Sequence, residues 1–149
     1  MRATRSDELV ARAEVHRRAW SLLPFAHGTV EATSSLSVES YAEVARCESY
    51  RAELDVVVES PDGTLVACAN GWLDERNASV ELEPVGTVAE ARGLGLAGAA
   101  CAALLRAARA LGARHGIVYA RGDAAYPRPL RTYLKLGFAP YARTRTLVG

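Results

Sequence analysis

Cysteine and histidine are scarce in this sequence, which limits the chemistry that it can carry. The three cysteines, Cys47, Cys68 and Cys101, are widely spaced and form no CxxC pair. We therefore expect no disulfide framework and no zinc site. We expect the cysteines to be small buried side chains, and the protein to lie in a reducing compartment, the cytoplasm. The three histidines lack metal-ligand spacing, and no HExxH or GxSxG motif occurs, so we expect neither metal-dependent nor serine-hydrolase chemistry.

Long apolar runs are absent as well, and the net charge is small. No stretch is long enough to span a bilayer, and the first residues, MRATRSDEL, lack the apolar core of a signal peptide. The net charge of +1 gives no reason to expect nucleic acid or a membrane surface as a partner. Lys135 is the single lysine, and this bias toward arginine, with abundant alanine, indicates a GC-rich bacterial genome. We expect residues 1–149 to form one soluble domain.

The first fifty residues are predicted to hold two helices separated by an irregular loop. Ser6 is expected to cap the first helix, with Asp7 and Glu8 in its first turn. The apolar stripe of this helix would be formed by Leu9, Val10, Ala13 and Trp20. The loop covers residues 21–37, which show no clear period, and a second helix is expected from Val38 to Cys47.

The remainder is predicted to contain strands first and then alternating helices and strands. A hairpin is expected from two β-rich runs, ELDVVVES and TLVACANGWLD, joined by the turn sequence PDG. A third strand, SVELEPVGT, contains Pro84 and Gly86, which predict a bulge or a splay. The order is completed by a helix to about Leu111, a strand in HGIVYAR, a helix opening with two prolines in AYPRPLRTYLKL, and a closing strand from Phe138.

The stretch EARGLGLAGAA, residues 90–100, fits two phosphate-binding designs. Gly93, Gly95 and Gly98 spell GxGxxG, the dinucleotide fingerprint, which would need an acidic residue such as Asp123 for the ribose. Against this design, VAEAR separates the preceding strand from the first glycine, and the chain after Gly98 is too short to complete a doubly wound sheet. A dinucleotide-binding oxidoreductase is therefore kept only as a distant alternative.

The second design reads Arg92, Gly95 and Ala97 as RxxGxA, and here the sequence resembles the GNAT superfamily of N-acetyltransferases. The family's Q/R-x-x-G-x-G/A signature follows a splayed strand and opens a long helix. A second family landmark, an aromatic residue in the last helix followed shortly by GF, is similar to YLKLGF here. The resemblance implies a GNAT-like α/β fold of the mixed α+β kind. Its central twisted sheet is mostly antiparallel, its fourth and fifth strands are splayed apart, and about four helices flank it.

The resemblance also implies which residues bind acetyl-CoA, the acetyl donor and cosubstrate, with no metal. The backbone of the splayed strand would pair with the pantetheine arm. Main-chain N–H groups of the glycine loop would hold the pyrophosphate at a helix N-terminus. The implied residues are Val85, Gly86 and Thr87 in the strand, and Arg92, Gly93, Leu94, Gly95, Leu96, Ala97 and Gly98 in the loop.

Acetylation of an amine needs a base for the amine and an acid for the leaving thiolate. Glu81 or Glu83 would accept the amine proton, since family members often place a glutamate on this strand without fixing its position. Tyr133 stands where family members carry a tyrosine near the CoA sulfur, and it is the implied general acid. The implied enzyme is an N-acetyltransferase that moves an acetyl group from acetyl-CoA to a primary amine by direct attack in a ternary complex.

The acceptor and the oligomeric state are left open. A small-molecule amine or a peptide N-terminus fits the implied reaction, and a homodimer is allowed for. Tyr126 stands where family members frequently carry an asparagine that contacts the CoA arm. A catalytically silent acyl-CoA-binding module is therefore kept as the main alternative.

Overall fold

A five-stranded sheet is the centre of the fold in the computed structural model, which describes residues 1–25, 28–32, 34–121 and 124–143. In these residues the strands are β1 (Arg2–Ala3), β2 (Ser21–Phe25), β3 (Gly28–Ala32), β4 (Asp55–Glu59), β5 (Leu65–Asp74), β6 (Ser79–Thr87) and β7 (His115–Ile117). The helices are α1 (Leu9–Ala19), α2 (Val38–Arg46), α3 (Leu96–Ala110) and α4 (Arg128–Lys135), with short 3₁₀ turns at Ala52–Leu54 and Ala89–Ala91.

The strand order of the central sheet is β1-β4-β5-β6-β7. The pairings β1/β4, β4/β5 and β5/β6 are antiparallel, and β6/β7 is parallel. The predicted mostly antiparallel sheet with four helices is confirmed, and so is the hairpin through PDG, which joins β4 to β5. Because this sheet is not doubly wound, the fold gives no support to the dinucleotide-binding alternative.

Helices cover both faces of the sheet. On one face, α3 buries Ala100, Leu104 and Ala108 in a cluster that includes Val56 and Val80 from the strands. On the other face, Val15 of α1 packs into a cluster with Val57, Leu65, Cys68, Val88 and Ala91. Cys101 joins the first cluster, so Cys68 and Cys101 are small buried side chains as expected, whereas Cys47 is exposed.

The first helix differs from its prediction at its start and on its buried face. Its N-cap residue is Glu8, not Ser6, and the Glu8 carboxylate is bound by Arg2, with 2.6 Å between Nη1 and Oε1. Val10 is 67% exposed, whereas Arg12 is fully buried. The predicted apolar stripe did not place Arg12 on the buried face, because the residue that balances its charge is distant in the sequence.

A buried polar cluster centred on Asp55 connects α1, α2 and β4. The Arg12 Nε group donates to Asp55 Oδ1 at 2.8 Å, and these side chains are 1% and 0% exposed. The hydroxyl groups of Tyr41 and Tyr50 donate to Asp55 Oδ2, the latter at 3.0 Å. Every partner comes from a different segment, so the cluster holds α1 against the sheet.

The segment predicted as an irregular loop, residues 21–37, instead contains a second, two-stranded sheet. β2 and β3 pair in antiparallel register, from Ser21↔Ala32 to Phe25↔Gly28, with Ala26 and His27 outside the described residues. The sequence carries no alternating apolar pattern here, so its strands could not be recognised from side-chain periodicity. The pairing of β2 with β3 provides hydrogen-bond partners for main-chain groups of this segment, although neither strand belongs to the central sheet.

The closing strand predicted from Phe138 is not formed in the part of it that the structure describes. Residues 138–143 form no strand, and residues 144–149 lie outside the described part. Phe138 instead packs edge-on against Tyr133, with 5.8 Å between ring centroids. The aromatic ring of Phe138 therefore packs against α4, and the residue does not pair in a strand.

Candidate active site

A cleft of about 930 Å³ lies where β6 and β7 diverge. The pairing of these strands ends at Glu81↔Ile117, while β6 continues to Thr87. The cleft is bounded by this extension of β6, the glycine loop, α4 and the segment where α1 passes into β2. The splayed pair implied by the resemblance, the fourth and fifth strands in the family's order, corresponds to β6 and β7 here, and their divergence opens this cleft.

A bulge in β6 shapes the wall nearest to β7. The register with β5 shifts between Ala69↔Val85 and Gly71↔Leu82, so that Glu83 and Pro84 lie opposite a single β5 residue. This bears out the bulge predicted from Pro84. The indole N–H of Trp72 donates to the carbonyl oxygen of Glu83 at 2.8 Å. The bulge thus has a fixed position on the sheet.

The main-chain groups of β6 after the bulge point alternately to β5 and to the cleft. The Val88 N–H donates to the Val66 carbonyl at 3.0 Å, so Val66 and Val88 form a hydrogen-bonded pair of the antiparallel ladder. Because such pairs alternate along an antiparallel ladder, Gly86 directs its N–H and C=O toward β5, whereas Val85 and Thr87 direct theirs to the opposite edge. That edge faces the cleft. It leaves the main-chain groups of Val85 and the N–H of Thr87 available to a ligand, whereas the Thr87 carbonyl accepts from Arg92 Nε at 3.2 Å.

Gly86 is a glycine because of a close contact. A Cβ atom at Gly86 would lie 2.3 Å from Cζ3 of Trp20 and 2.7 Å from Cβ of Ala19. Its φ is not positive, so the unusual dihedrals that a glycine permits are not what this position requires. The end of α1 therefore seats directly on β6 beside the cleft.

The glycine loop presents unoccupied main-chain N–H groups at the start of α3. Gly93 and Gly95 have φ values of 88° and 76°, and Gly95 is the N-cap residue. Within the described residues, the first-turn N–H groups of Leu96, Ala97 and Gly98 have no carbonyl partner. The N–H of Ala99 is the first in α3 that donates to a main-chain carbonyl, that of Gly95. The 3₁₀ turn before the loop separates the loop from β6, whereas in the dinucleotide design the first glycine follows the strand directly.

This loop has the properties of an anion site. A Cβ at Gly93 or Gly95 would meet no described atom within 4 Å, so that surface is open to a ligand. Unpaired N–H groups and the positive end of the α3 dipole both favour an anion at this place. The loop therefore fits the pyrophosphate of a nucleotide-containing cosubstrate such as CoA.

Arg92 fixes the loop through its side chain. Its guanidinium donates to four main-chain carbonyls: Thr87 at 3.2 Å, Leu22 at 2.6 Å, Ala19 at 3.1 Å and Ser21 at 2.6 Å. Its own N–H is bonded to Ala89 at 3.3 Å. The side chain thus connects β6, the end of α1 and the start of β2 instead of pointing to the loop's open face.

Replacing Arg92 by glutamine is expected to lower the free energy of unfolding by about 2–3 kcal/mol, because several charge-assisted hydrogen bonds are lost together. We also expect weaker CoA binding, since the loop is no longer anchored. Urea unfolding and titration calorimetry measure the two effects. Arg106→Gln, on an exposed position of α3, is the control and should change neither. Loss of CoA affinity with unchanged stability would instead mean that the Arg92 side chain binds the phosphate.

The three predicted catalytic residues lie on β6 and α4. Glu83 is exposed at the bulge and lines the cleft, whereas Glu81 is half-buried and pairs across from Trp72. Tyr133 lines the same cleft and is 8% exposed. Burial raises the pKa of Tyr133 above its usual value, and the charges of Cys101 and Glu83 raise that pKa further. Tyr133 is therefore a protonated phenol at neutral pH.

The lining of the cleft includes aromatic residues, of which Trp20 and Phe25 were not assigned to it from the sequence. Phe25 of β2 packs against Tyr126, with 5.0 Å between ring centroids, and the Arg121 guanidinium lies 5.0 Å from the centroid of Phe25. Trp20 also lines the cleft and stacks on His16 at 4.4 Å. Phe25 was missed because β2 was predicted as loop, and a loop prediction gives no direction to a side chain.

The described residues contain no group of three or more His, Cys, Asp or Glu side chains that could hold a metal ion. Burial, together with the nearby charge of Arg12, lowers the pKa of His16 to about 4. No helix in the described ranges combines the length and apolar character needed to cross a membrane. Asp123, the candidate ribose ligand, lies outside these ranges.

Sequence comparison identifies the family. The profile of the acetyltransferase (GNAT) family matches residues 13–138. The chain belongs to this family. The fold and the recognised signature agree with that membership, which makes acetyl transfer its general activity and acyltransferase its enzyme class. None of the curated protein sequences matches the chain.

Solved acetyltransferase structures share the fold at low sequence identity. An acetyltransferase from Trypanosoma brucei matches with a TM-score of 0.69 and 22% identity, covering 99% of this chain and 96% of the other. AAC(6')-Iy, in complex with the bisubstrate analogue CoA-S-monomethyl-acetylneamine, matches with a TM-score of 0.74 and 16% identity, covering 99% and 95%. An aminoglycoside 6'-N-acetyltransferase from Acinetobacter haemolyticus matches with a TM-score of 0.70 and 15% identity, covering 99% and 95%.

Proposed function

We propose that this GNAT acetyltransferase moves an acetyl group from acetyl-CoA to a primary amine by direct attack in a ternary complex. One observation carries the proposal: the glycine loop, the open edge of β6, Glu83 and Tyr133 all border the same cleft. An anion site, a strand edge, a carboxylate and a phenol are the four groups that the proposed mechanism uses. We further propose that residues 1–149 form a single catalytic domain of a cytoplasmic, bacterial protein.

The cleft fits acetyl-CoA through main-chain groups. The N–H groups of residues 93–98 would hold the pyrophosphate, and Val85 and Thr87 would pair with the pantetheine arm along the open edge of β6. Gly86, whose polar groups point to β5, would serve by letting α1 approach. Arg92 would contribute by anchoring the loop. Bound in this way, acetyl-CoA would supply the acetyl thioester and, on transfer, the thiolate leaving group.

Glu83 is the proposed general base, with Glu81 as the alternative on the same strand. The amine acceptor arrives protonated and must lose a proton before its nitrogen can form the new N–C bond. Glu83 lies in the bulge on the cleft surface, where it can accept this proton directly or through water. Glu81 is less accessible, because it lies within the paired part of β6.

Tyr133 is the proposed general acid. As the C–S bond breaks, its phenol would donate a proton to the thiolate, while a main-chain N–H on the open edge of β6 stabilises the charge on the thioester oxygen. Its raised pKa keeps the phenol protonated and available to donate. The nitrogen of the ammonium group loses two protons in all: Glu83 would accept the first, and the second would leave as the amide forms and reprotonate Tyr133 through solvent. Glu83 then releases its proton to solvent, so one proton is released for each amide formed.

The acceptor is proposed only as a class: a small-molecule amine or a peptide N-terminus. AAC(6')-Iy is described as an aminoglycoside N-acetyltransferase, and another structural relative, with 16% identity, as the ribosomal-protein-S18-alanine N-acetyltransferase from Escherichia coli. Those two acceptors differ in size and charge, so the shared fold does not choose between them. We expect no metal, nucleic acid or membrane to take part, and a homodimer is compatible with the proposal.

Thermal melting with acetyl-CoA, CoA, NADH and NADPH in parallel, followed by an assay of thiol release with amines, tests this function. A ligand at 100 times its dissociation constant adds about 2.7 kcal/mol, which raises the melting midpoint by about 5–10 °C. We expect a shift with both CoA species, no shift with the nicotinamides, and thiol release with at least one amine. A CoA shift without release would indicate the silent binding module. A shift with the nicotinamides alone would overturn the acetyltransferase proposal.

A further inference from the structure

The charges of this protein are strongly segregated along the chain, although the net charge is only +1. Residues 1–90 contain eight basic and sixteen acidic residues, whereas residues 91–149 contain ten basic residues and a single acid, Asp123. The second part includes the glycine loop, α3 and α4. The side of the cleft that begins at the proposed pyrophosphate loop is thus built from a basic part of the chain.

Three of these cations form a row on α4. Arg128, Arg131 and Lys135 are spaced by three and four residues, so their side chains share one face of the helix. All three are exposed and line the cleft. Within the described residues, no carboxylate lies within 4 Å of any of them. With a rise of 1.5 Å per residue, the row is about 10 Å long.

The row lies next to the proposed pyrophosphate site. The Cγ2 atom of Thr132, inside the row, is 4.0 Å from the position that a Cβ on Gly98 would take. α4 therefore passes beside the first turn of α3, whose free N–H groups form the anion site. An anion attached a short distance from the pyrophosphate would meet these side chains.

The helix itself favours an anion at this place. Arg128 is the first residue of α4, no acidic residue is in the first turn, and the N-cap residue Pro127 has no side-chain cap. A cation at the positive end of a helix dipole is electrostatically unfavourable when nothing balances it. A bound phosphate near Arg128 would remove this conflict.

We propose that Arg128, Arg131 and Lys135 form a subsite for the 3′-phosphate of CoA and make this enzyme select CoA over 3′-dephospho-CoA. This inference rests on the proposed acetyl-CoA-dependent function. In CoA, the 3′-phosphate and the pyrophosphate are attached to the same ribose. A protein that holds the pyrophosphate at α3 therefore meets the 3′-phosphate within the width of a sugar, where α4 lies.

Calorimetric titration of the full chain with CoA and with 3′-dephospho-CoA tests the subsite. Hydrogen bonds between charged groups make a preference of about tenfold or more for CoA the expected result. In Arg131→Gln and Lys135→Gln variants, and in the double variant, we expect weaker CoA binding but unchanged binding of 3′-dephospho-CoA. Arg109→Gln, at an exposed position on α3, is the matched control and should keep the preference.

The outcomes separate this inference from the function on which it rests. Equal affinity of the wild-type protein for the two compounds would overturn the subsite while leaving the acetyltransferase proposal intact. Equal loss of both affinities in the α4 variants would also overturn it, because the row would then act on the pyrophosphate or through general attraction. If the wild-type protein binds neither compound, both the function and the subsite are wrong. Melting without ligand checks that the exposed substitutions leave the fold unchanged.

Discussion

Tyr133→Phe is expected to lower kcat for amine acetylation by about 10²–10⁴-fold, the range that a positioned proton donor contributes. The substitution removes only the hydroxyl group. It keeps the ring that packs against Phe138 at 5.8 Å and the apolar volume in the core. We therefore expect little change in the melting midpoint and in the affinity for CoA. Steady-state kinetics across pH and calorimetric titration measure these quantities.

The pH profile distinguishes proton donation by Tyr133 from a packing role. Burial raises the pKa of this phenol, so loss of its proton should not lower the wild-type rate within the neutral range. The rate should instead rise with pH as the acceptor amine loses its proton, and then level off. Tyr141→Phe, at a fully exposed position, is the control for loss of a hydroxyl group. Full activity of Tyr133→Phe at every pH would show that another group, or water, protonates the thiolate.

Asp55→Asn is expected to cause the largest loss of stability, about 3–5 kcal/mol, which lowers the melting midpoint by about 6–20 °C. The carboxylate is 0% exposed and accepts hydrogen bonds from Arg12, Tyr41 and Tyr50. An amide cannot balance the buried guanidinium, and one of its two polar atoms can no longer accept a hydrogen bond. Denaturant unfolding and thermal melting measure the loss.

The same strand supplies a matched control for Asp55. Glu59 also pairs with an arginine, at 2.7 Å from Arg2, but its side chain is 36% exposed. Glu59→Gln should therefore cost less than about 1 kcal/mol. A double variant, Arg12→Met with Asp55→Asn, should be less destabilised than the sum of the single variants, because no unpaired charge is left buried. Equal effects at positions 55 and 59 would contradict a special role for the buried pair.

Loss of Asp55 should also affect the cleft, although Asp55 does not line it. The cluster holds α1 against the sheet, and the last residues of α1 contact Gly86 and accept hydrogen bonds from Arg92. A loosened α1 would therefore disturb both the open edge of β6 and the anchor of the glycine loop. We expect acetyl-CoA binding to weaken in Asp55→Asn and to be unaffected in Glu59→Gln.

The elements that depend on local conformational preferences could be predicted from the sequence. Ser37, three residues before Ser40, signals the start of α2, and its side chain does accept the Ser40 N–H at 3.1 Å. Pro84 signals the bulge because a proline cannot donate to the ladder. Gly93 and Gly95 signal a loop with positive φ at the start of a long helix. Each signal depends on residues that are neighbours in the chain.

The contacts that complete the cleft depend on residues that are distant in the sequence. Arg92 binds the carbonyl of Ala19, 73 residues away, and Arg12 binds Asp55, 43 residues away. Neither partner can be recognised from spacing or composition, because a hydrogen bond to a main-chain carbonyl requires no particular side chain. The same holds for Gly86, which is a glycine only because α1 reaches it.

The sequence by itself therefore determined the family signature, most of the helices, the main hairpin, the bulge and the glycine loop. Their physical causes are dihedral preference, hydrogen-bonding capacity and periodicity, which act over a few residues. The tertiary structure alone decided that Arg92 anchors the loop, that β2 forms a wall of the cleft and that three α4 cations lie beside α3. Those features arise when the folded sheet brings distant segments into contact, and no local preference specifies which segments meet.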